Sequence, residues 1–208
     1  MKREEKNQQT RRRIMDQALR EFAENGYDHG SVNNIFDPEL GISKGIIYHY
    51  FRSKEELFLS CVEETFAQLQ QSIQQNLPAE QLSGNLHDAM AQYFSVRAVF
   101  FQEHPLYRAI FCEAVIAPPK GLHSEIEKRR ESLRQANLTI LEAMLSKVPL
   151  RPGLEQAELA ALLLRLVSFL ELPTDHGCSD ITEYERRGQQ LLDILVYGII
   201  SREENHNV

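Results

Sequence analysis

The sequence predicts an all-α protein: a three-helix N-terminal helix-turn-helix unit over residues 1–53, then a larger helical body over residues 54–208, about nine helices in total. Three observations carry that expectation. Apolar residues recur at helical rather than alternating spacing, Gly and Pro fall where helices should end, and Ser43 to Phe51 follows a glycine turn with a cap residue at its front. With 42% hydrophobic residues the chain can bury a real core, which excludes a disordered protein.

Taken in order, the first helix carries Ile14, Ala18 and Phe22 as one stripe with Met15, Leu19 and Ala23 beside it. Asn25-Gly26 supplies its stop, because Gly tolerates the left-handed conformation there. Ser31 caps a short second helix bearing Val32, Ile35 and Phe36. Gly41 makes the turn, and Ser43 caps a third helix of about two turns. Ser53 with Glu56 forms a capping box that opens a long fourth helix, with Leu57, Phe58, Cys61, Val62, Phe66, Leu69 and Ile73 inward and Pro78 at its end. Further helices are expected near 84–103, 105–116, 123–147, 155–171 and 181–201, with breaks at His104-Pro105, Pro118-Pro119, 149–153 and 173–177.

A helix-turn-helix needs two short helices at a steep angle, with the second presenting polar or small residues to base edges. Val32, Ile35, Phe36, Leu40, Ile42 and Ile47 can fill a small core with Ile14, Ala18 and Phe22. That leaves Lys44, Gly45, Ile46, Tyr48 and His49 on the outer face of the third helix. Gly45 costs the helix roughly 1 kcal/mol relative to Ala, and its gain is close approach of backbone to a base or phosphate. Tyr48 and His49 can donate to phosphates, with Lys54 as a positive anchor. An ordinary helical hairpin with a solvated polar face is the competing reading, but it accounts poorly for the exposed aromatic run Tyr48-His49-Tyr50-Phe51.

The stretch from Arg13-Ile14 to Glu56-Leu57 resembles the TetR family of transcriptional regulators. The resemblance rests on Ile14, Ala18-Leu19 and Phe22 to Tyr27, on Ser31-Val32 and Ile35, and on Gly41 to Phe51 with Ser53 to Leu57. It implies that Ser31, Asn33, Lys44, Gly45, Ile46, Tyr48, His49 and Tyr50 face DNA and that Lys54 holds a phosphate. It also implies a homodimer that binds a palindromic double-stranded operator as a repressor and is released by a small-molecule inducer. One departure stands out: Gly41 lies nine residues after Val32, one more than the family's usual spacing. Asp37-Pro38-Glu39 contains the extra residue, and Pro disfavours helix in the residue before it, so the second helix should end early or bulge.

Charge is distributed in keeping with this reading. Residues 1–60 hold 10 Lys+Arg against 10 Asp+Glu, while the remainder holds 13 against 20 and carries the whole net charge of −7. DNA would repel the molecule everywhere except at its tip. Arg11-Arg12-Arg13 could reach phosphate or simply open a solvated helix. Gly41-Ile-Ser43-Lys-Gly45 matches the nucleophile-elbow pattern, but no strand precedes Ser43, so no catalytic residue and no enzyme is expected. His176-Gly177-Cys178 after Asp175 lacks a second ligand cluster, so neither metal nor cofactor is expected. Three widely spaced cysteines suit reduced core thiols better than a disulfide framework. The N-terminus has no signal-like apolar region and no run suits a bilayer, so the expectation is a cytoplasmic protein with no membrane partner.

In the body, Tyr93-Phe94, Phe100-Phe101, Tyr107 and Phe111 form an aromatic-rich stretch that reads as core or, by the family's architecture, as the wall of an inducer pocket. Phe66, Phe94, Arg97, Phe101, His104, Tyr107, Arg108 and Phe111 are the candidate ligand contacts, with Glu103 and Glu113 as further polar neighbours. Residues 155–171 and 181–201 are apolar around most of their circumference, which calls for burial on more than one side and suggests a four-helix dimer seam. The alternative regulator is a protein of the same fold controlled by a protein partner or acting architecturally, without a small ligand.

Overall fold

A computed structural model describes residues 3–77 and 85–170, together with Gln190 and Ile194. These residues form seven helices and no strand: α1 (Arg3–His29), α2 (Lys44–Tyr50), α3 (Lys54–Asn76), α4 (Leu86–Glu103), α5 (Pro105–Val115), α6 (His123–Leu145) and α7 (Gln156–Leu170). The all-α expectation holds. Of the nine helices expected, one is replaced by a turn near Ser31 and another, 181–201, lies outside the described residues apart from Gln190 and Ile194. Contacts group the chain into two compact units, residues 1–68 with 103–131, and residues 69–102 with 132–208.

The first unit is built on α1, whose stripe of Ile14, Ala18 and Phe22 is fully buried with Ile35, Ile42, Ile47 and Phe51. Phe22 meets Phe58 of α3 edge-on at 5.3 Å, and Tyr27 lies 4.9 Å from the same ring. Gly26 takes φ 70° and ψ 172°, which breaks α1 where the sequence places the stop, and one further turn follows before the chain leaves the helix. Side chains other than Gly resist that positive φ. α1 also packs on α5. The fourth predicted helix is α3, and the cap half of its box forms: Ser53 Oγ accepts from Glu56 N at 3.1 Å, while Glu56 Oε2 reaches one residue past the cap and accepts from Arg52 N at 2.7 Å.

Two expectations about the small core are corrected. Phe36 is 48% exposed and Leu40 39% exposed, so neither packs with Ile14 and Phe22. The cause is the loop described below, which turns both side chains outward.

In the second unit Tyr93, Phe94 and Arg97 of α4 are buried, as are Ile140, Leu141 and Met144 of α6 and Leu159 and Leu163 of α7. Gln156 Nε2 donates to the Glu142 carbonyl at 2.9 Å, tying the start of α7 to α6. No helix among the described residues is long and apolar enough to cross a membrane. The expectation of reduced thiols is corrected at Cys112, which is disulfide-bonded. Cys61 is a free, buried thiol that its apolar surroundings push up in pKa, which keeps it protonated and unreactive.

Candidate nucleic-acid interface

The third predicted helix is α2, and its cap is the one expected. Ser43 sits in extended backbone and its Oγ accepts from Ile46 N at 3.2 Å, satisfying one of the orphan donors of the first turn. Ile47 alone turns fully into the core. Lys44, Gly45, Tyr48 and His49 are therefore exposed, and Ile46 and Tyr50 half-buried. A Cβ on Gly45 would meet nothing within 4 Å, so nothing in this chain requires glycine there. Tyr50 donates to Asn7 Oδ1 at 3.2 Å, and its ring stands edge-on to His49. That bond fixes the C-terminal end of α2 against α1.

The segment before α2 is not the predicted helix. Asn34 N bonds the Ser31 carbonyl at 2.9 Å and Ile35 N the Val32 carbonyl at 3.3 Å, a single tight turn that does not propagate. Asp37 and Ile42 then exchange both backbone hydrogen bonds, at 3.0 and 2.8 Å, as an isolated antiparallel bridge. The bridge encloses Pro38 to Gly41. Asp37 Oδ1 accepts from Glu39 N and Leu40 N at 3.0 and 3.1 Å, Gly41 N reaches the Pro38 carbonyl, and Gly41 takes φ 70°. Pro38 cannot continue a helix and Asp37 offers its own acceptor to the loop, so the extra residue becomes a closed loop rather than a helical bulge.

Ser31 and Asn33 lie in the turn, half-buried and exposed respectively, and Ser31 Oγ accepts from Asn33 N at 3.2 Å. Lys54 is half-buried; its Nζ donates to the Asp28 carbonyl at 3.2 Å and stands 4.7 Å over the Tyr27 ring. The nine DNA candidates are thus all on the first unit with some surface to offer.

Several residues that build this face were not singled out for that role. Glu21, almost fully buried, accepts from Ser31 N at 2.8 Å and Asn34 Nδ2 at 2.9 Å with one oxygen, which pins the turn to α1. Its position, seven residues after Ile14 and three after Ala18, is the available signal: a carboxylate inside an apolar stripe. Glu113 of α5 accepts from Tyr27 N at 2.6 Å, filling the donor left open by the break at Gly26. Burial pushes the Glu113 carboxyl up, and the Tyr27 bond opposes that. Arg12 bonds Glu64 at 2.7 Å and Asp16 at 3.0 Å, chiefly through the first of which it is held firmly charged. Arg11 stacks 5.3 Å over Phe51 and Arg13 reaches the Leu40 carbonyl at 3.4 Å. All three arginines therefore have partners within the chain.

The ligand candidates divide between the units. In the first, Phe66 and Phe111 are buried and meet edge-on at 6.0 Å, while Tyr107 and Arg108 are half-buried and His104 exposed. His104 and Tyr107 line a cleft of about 400 Å³ with Arg12, Asp16, Leu19, Arg20, Glu103, Pro105 and Leu106. In the second, Phe94 and Arg97 are buried and Phe101 is half-buried. The Arg97 guanidinium lies 5.5 Å over the Tyr93 ring. No cluster of three metal-ligating side chains occurs among the described residues.

Residues 14–61 match the family model described as bacterial regulatory proteins, tetR family. The HTH-type transcriptional repressor AcnR of Corynebacterium efficiens is 35% identical over 79 residues, 38% of this chain and 42% of that protein. AcnR of Corynebacterium glutamicum is 33% identical over 104 residues, 48% and 55% of the two chains. The chain thus spans about half the length of these curated relatives. The fold extends further: the transcriptional regulator FadR of Bacillus subtilis, solved with stearoyl-CoA, matches with a TM-score of 0.60 at 18% identity, over 86% of this chain and 96% of that one.

Proposed function

We propose that this chain, which belongs to the tetR family of bacterial regulatory proteins, is a DNA-binding transcriptional repressor that reads a near-palindromic operator as a homodimer and releases it on binding a small molecule. The observation that carries the DNA half is α2 itself: a capped helix anchored by Ile47, with Lys44, Gly45, Tyr48 and His49 turned outward. Residues 1–53 act as the reader and residues 54–208 as the receiver and dimerisation body. Two heads about 34–36 Å apart enter successive major grooves on one face of the duplex.

The dimer reading is supported on α7, where Leu159 and Leu163 are buried while Leu162, on the same helix, is 59% exposed. The helix expected at 181–201 would complete the seam. The ligand reading is supported by a body that buries Arg97 and Asn137 among apolar side chains, and by the FadR fold, which was solved with stearoyl-CoA. A small molecule that prefers one head spacing lowers operator affinity by the ratio of its affinities for the two states.

Gel-shift titration of the full chain tests the reader. Lys44→Ala and Tyr48→Ala should each weaken DNA binding by about tenfold, with the melting temperature unchanged, since both side chains are exposed. Wild-type affinity in both variants would refute the assignment of α2.

A further inference from the structure

We infer that Phe36 and Leu40, carried on the Asp37–Ile42 loop, are a second reading element that contacts the C5 methyl groups of thymines beside the bases read by α2. The inference rests on the DNA reading of α2 and extends it to residues outside that helix.

Register places the loop at the reader. Asp37 and Ile42 exchange both hydrogen bonds of an antiparallel pair, so Phe36 and Ser43, their next neighbours along the chain, leave the bridge at the same end. Ser43 is itself extended, at φ −97° and ψ 159°, and is the N-cap of α2. Residues opposite one another in such a pair have Cα atoms about 4.5–5.5 Å apart. Phe36 therefore flanks the N-terminus of α2, the end at which helix-turn-helix readers touch base edges. The loop is also held in shape. Asp37 Oδ1 ties down two amides, Gly41 closes the turn, and Arg13 of α1 reaches the Leu40 carbonyl.

The chemistry selects the occupant. Phe36 and Leu40 are 48% and 39% exposed, although a helix in this position would have turned such side chains to the core. Asp37 directs its carboxylate to its own loop, and Glu39 at the loop tip is exposed. The negative charge at the tip offers nothing to a phosphate, so only the two apolar side chains of the loop can add to DNA contact. In the major groove the apolar feature is the thymine methyl, which distinguishes T·A from every other pair.

The full-length protein first selects its preferred duplexes from a random-sequence library. Each thymine of the selected half-site is then replaced by deoxyuridine, which removes the methyl alone. Wild type should lose about fourfold in affinity per contacted methyl. Phe36→Ser/Leu40→Ser should bind the thymine and uracil duplexes alike, at the weakened level, with an unchanged melting curve. Wild type indifferent to every replacement overturns the inference, as does a double variant that keeps wild-type sensitivity. A double variant altered in sedimentation but not in DNA preference also overturns it, by making the patch a protein contact. Lys44→Ala and Tyr48→Ala run alongside: if they bind as wild type, the reading of α2 has failed, whereas loss in these with none in the double variant sinks the loop alone.

Discussion

Two adjacent segments, Ser31–Ile42 and Ser43–Phe51, open alike, with a serine followed by a hydrophobic pattern, and fold differently. Ser43 caps a helix that propagates for two turns, because no residue from Lys44 to Tyr50 competes for its backbone. Ser31 caps a turn that stops after Ile35, because Asp37 and Pro38 follow. The contrast shows that a cap starts a helix but cannot sustain one. Continuation is decided by what lies one turn downstream, and here the acceptor of Asp37 and the ring of Pro38 favour the bridge to Ile42.

The largest effect that bears on this contrast is expected at Ile47, the side chain that anchors α2. Ile47→Ala should lower stability by about 2–5 kcal/mol in chemical denaturation, and a loss under 1 kcal/mol would mean that α2 is held from elsewhere. Asp37→Ala removes the acceptor for two amides of the loop. It should cost about 1 kcal/mol and speed amide exchange at Glu39 and Leu40 while leaving Ile46 protected by Ser43. Equal acceleration in both segments would show that they are one unit. Gly45→Ala has the opposite sign: with open space around the added carbon, it should stabilise α2 by about 0.5–1 kcal/mol and yet weaken DNA binding. Gain on both measures would remove the close-approach role of Gly45.

The smallest effect concerns the support beneath both segments. Burial raises the Glu113 carboxyl above its unfolded value, so the folded state binds the proton more tightly. Stability from this group is full below the unfolded pKa of about 4.5 and falls as pH rises through the folded value. Glu113→Gln keeps an acceptor for Tyr27 N and should flatten the stability–pH profile just above pH 4.5. An unchanged slope would assign it to other groups.

Local chemistry was readable from the sequence wherever it depended on near neighbours. The Ser43 and Ser53 caps, the Gly26 break and the Ile14–Ala18–Phe22 stripe each depend on residues within two turns. Ile47 as anchor and the outward set Lys44, Gly45, Tyr48 and His49 followed from the same periodicity, which also turned Ile46 outward although it is half-buried. The turn at Ser31 was only half legible: Pro38 announced an early end, but the pairing of Asp37 with Ile42 needed the loop closed in space. That closure sent Phe36 and Leu40 outward against their hydropathy. Glu21 and Glu113 were the least legible as supports of this face, because their partners lie 10 and 86 residues away and a backbone amide leaves no mark in a sequence. Tyr50, expected to face DNA, donates instead to Asn7 of α1.

The packing of α1 on α5 bears on how such proteins can be recombined. A graft that moves residues 1–53 alone onto another body would sever Glu113 from Tyr27 N and Glu64 from Arg12, stripping α1 of the support that α5 and α3 give it. The portable piece is discontinuous, residues 1–68 together with 103–131. Exchange of this unit between two lineages would have to carry a segment from the middle of the chain, an inheritance in two parts.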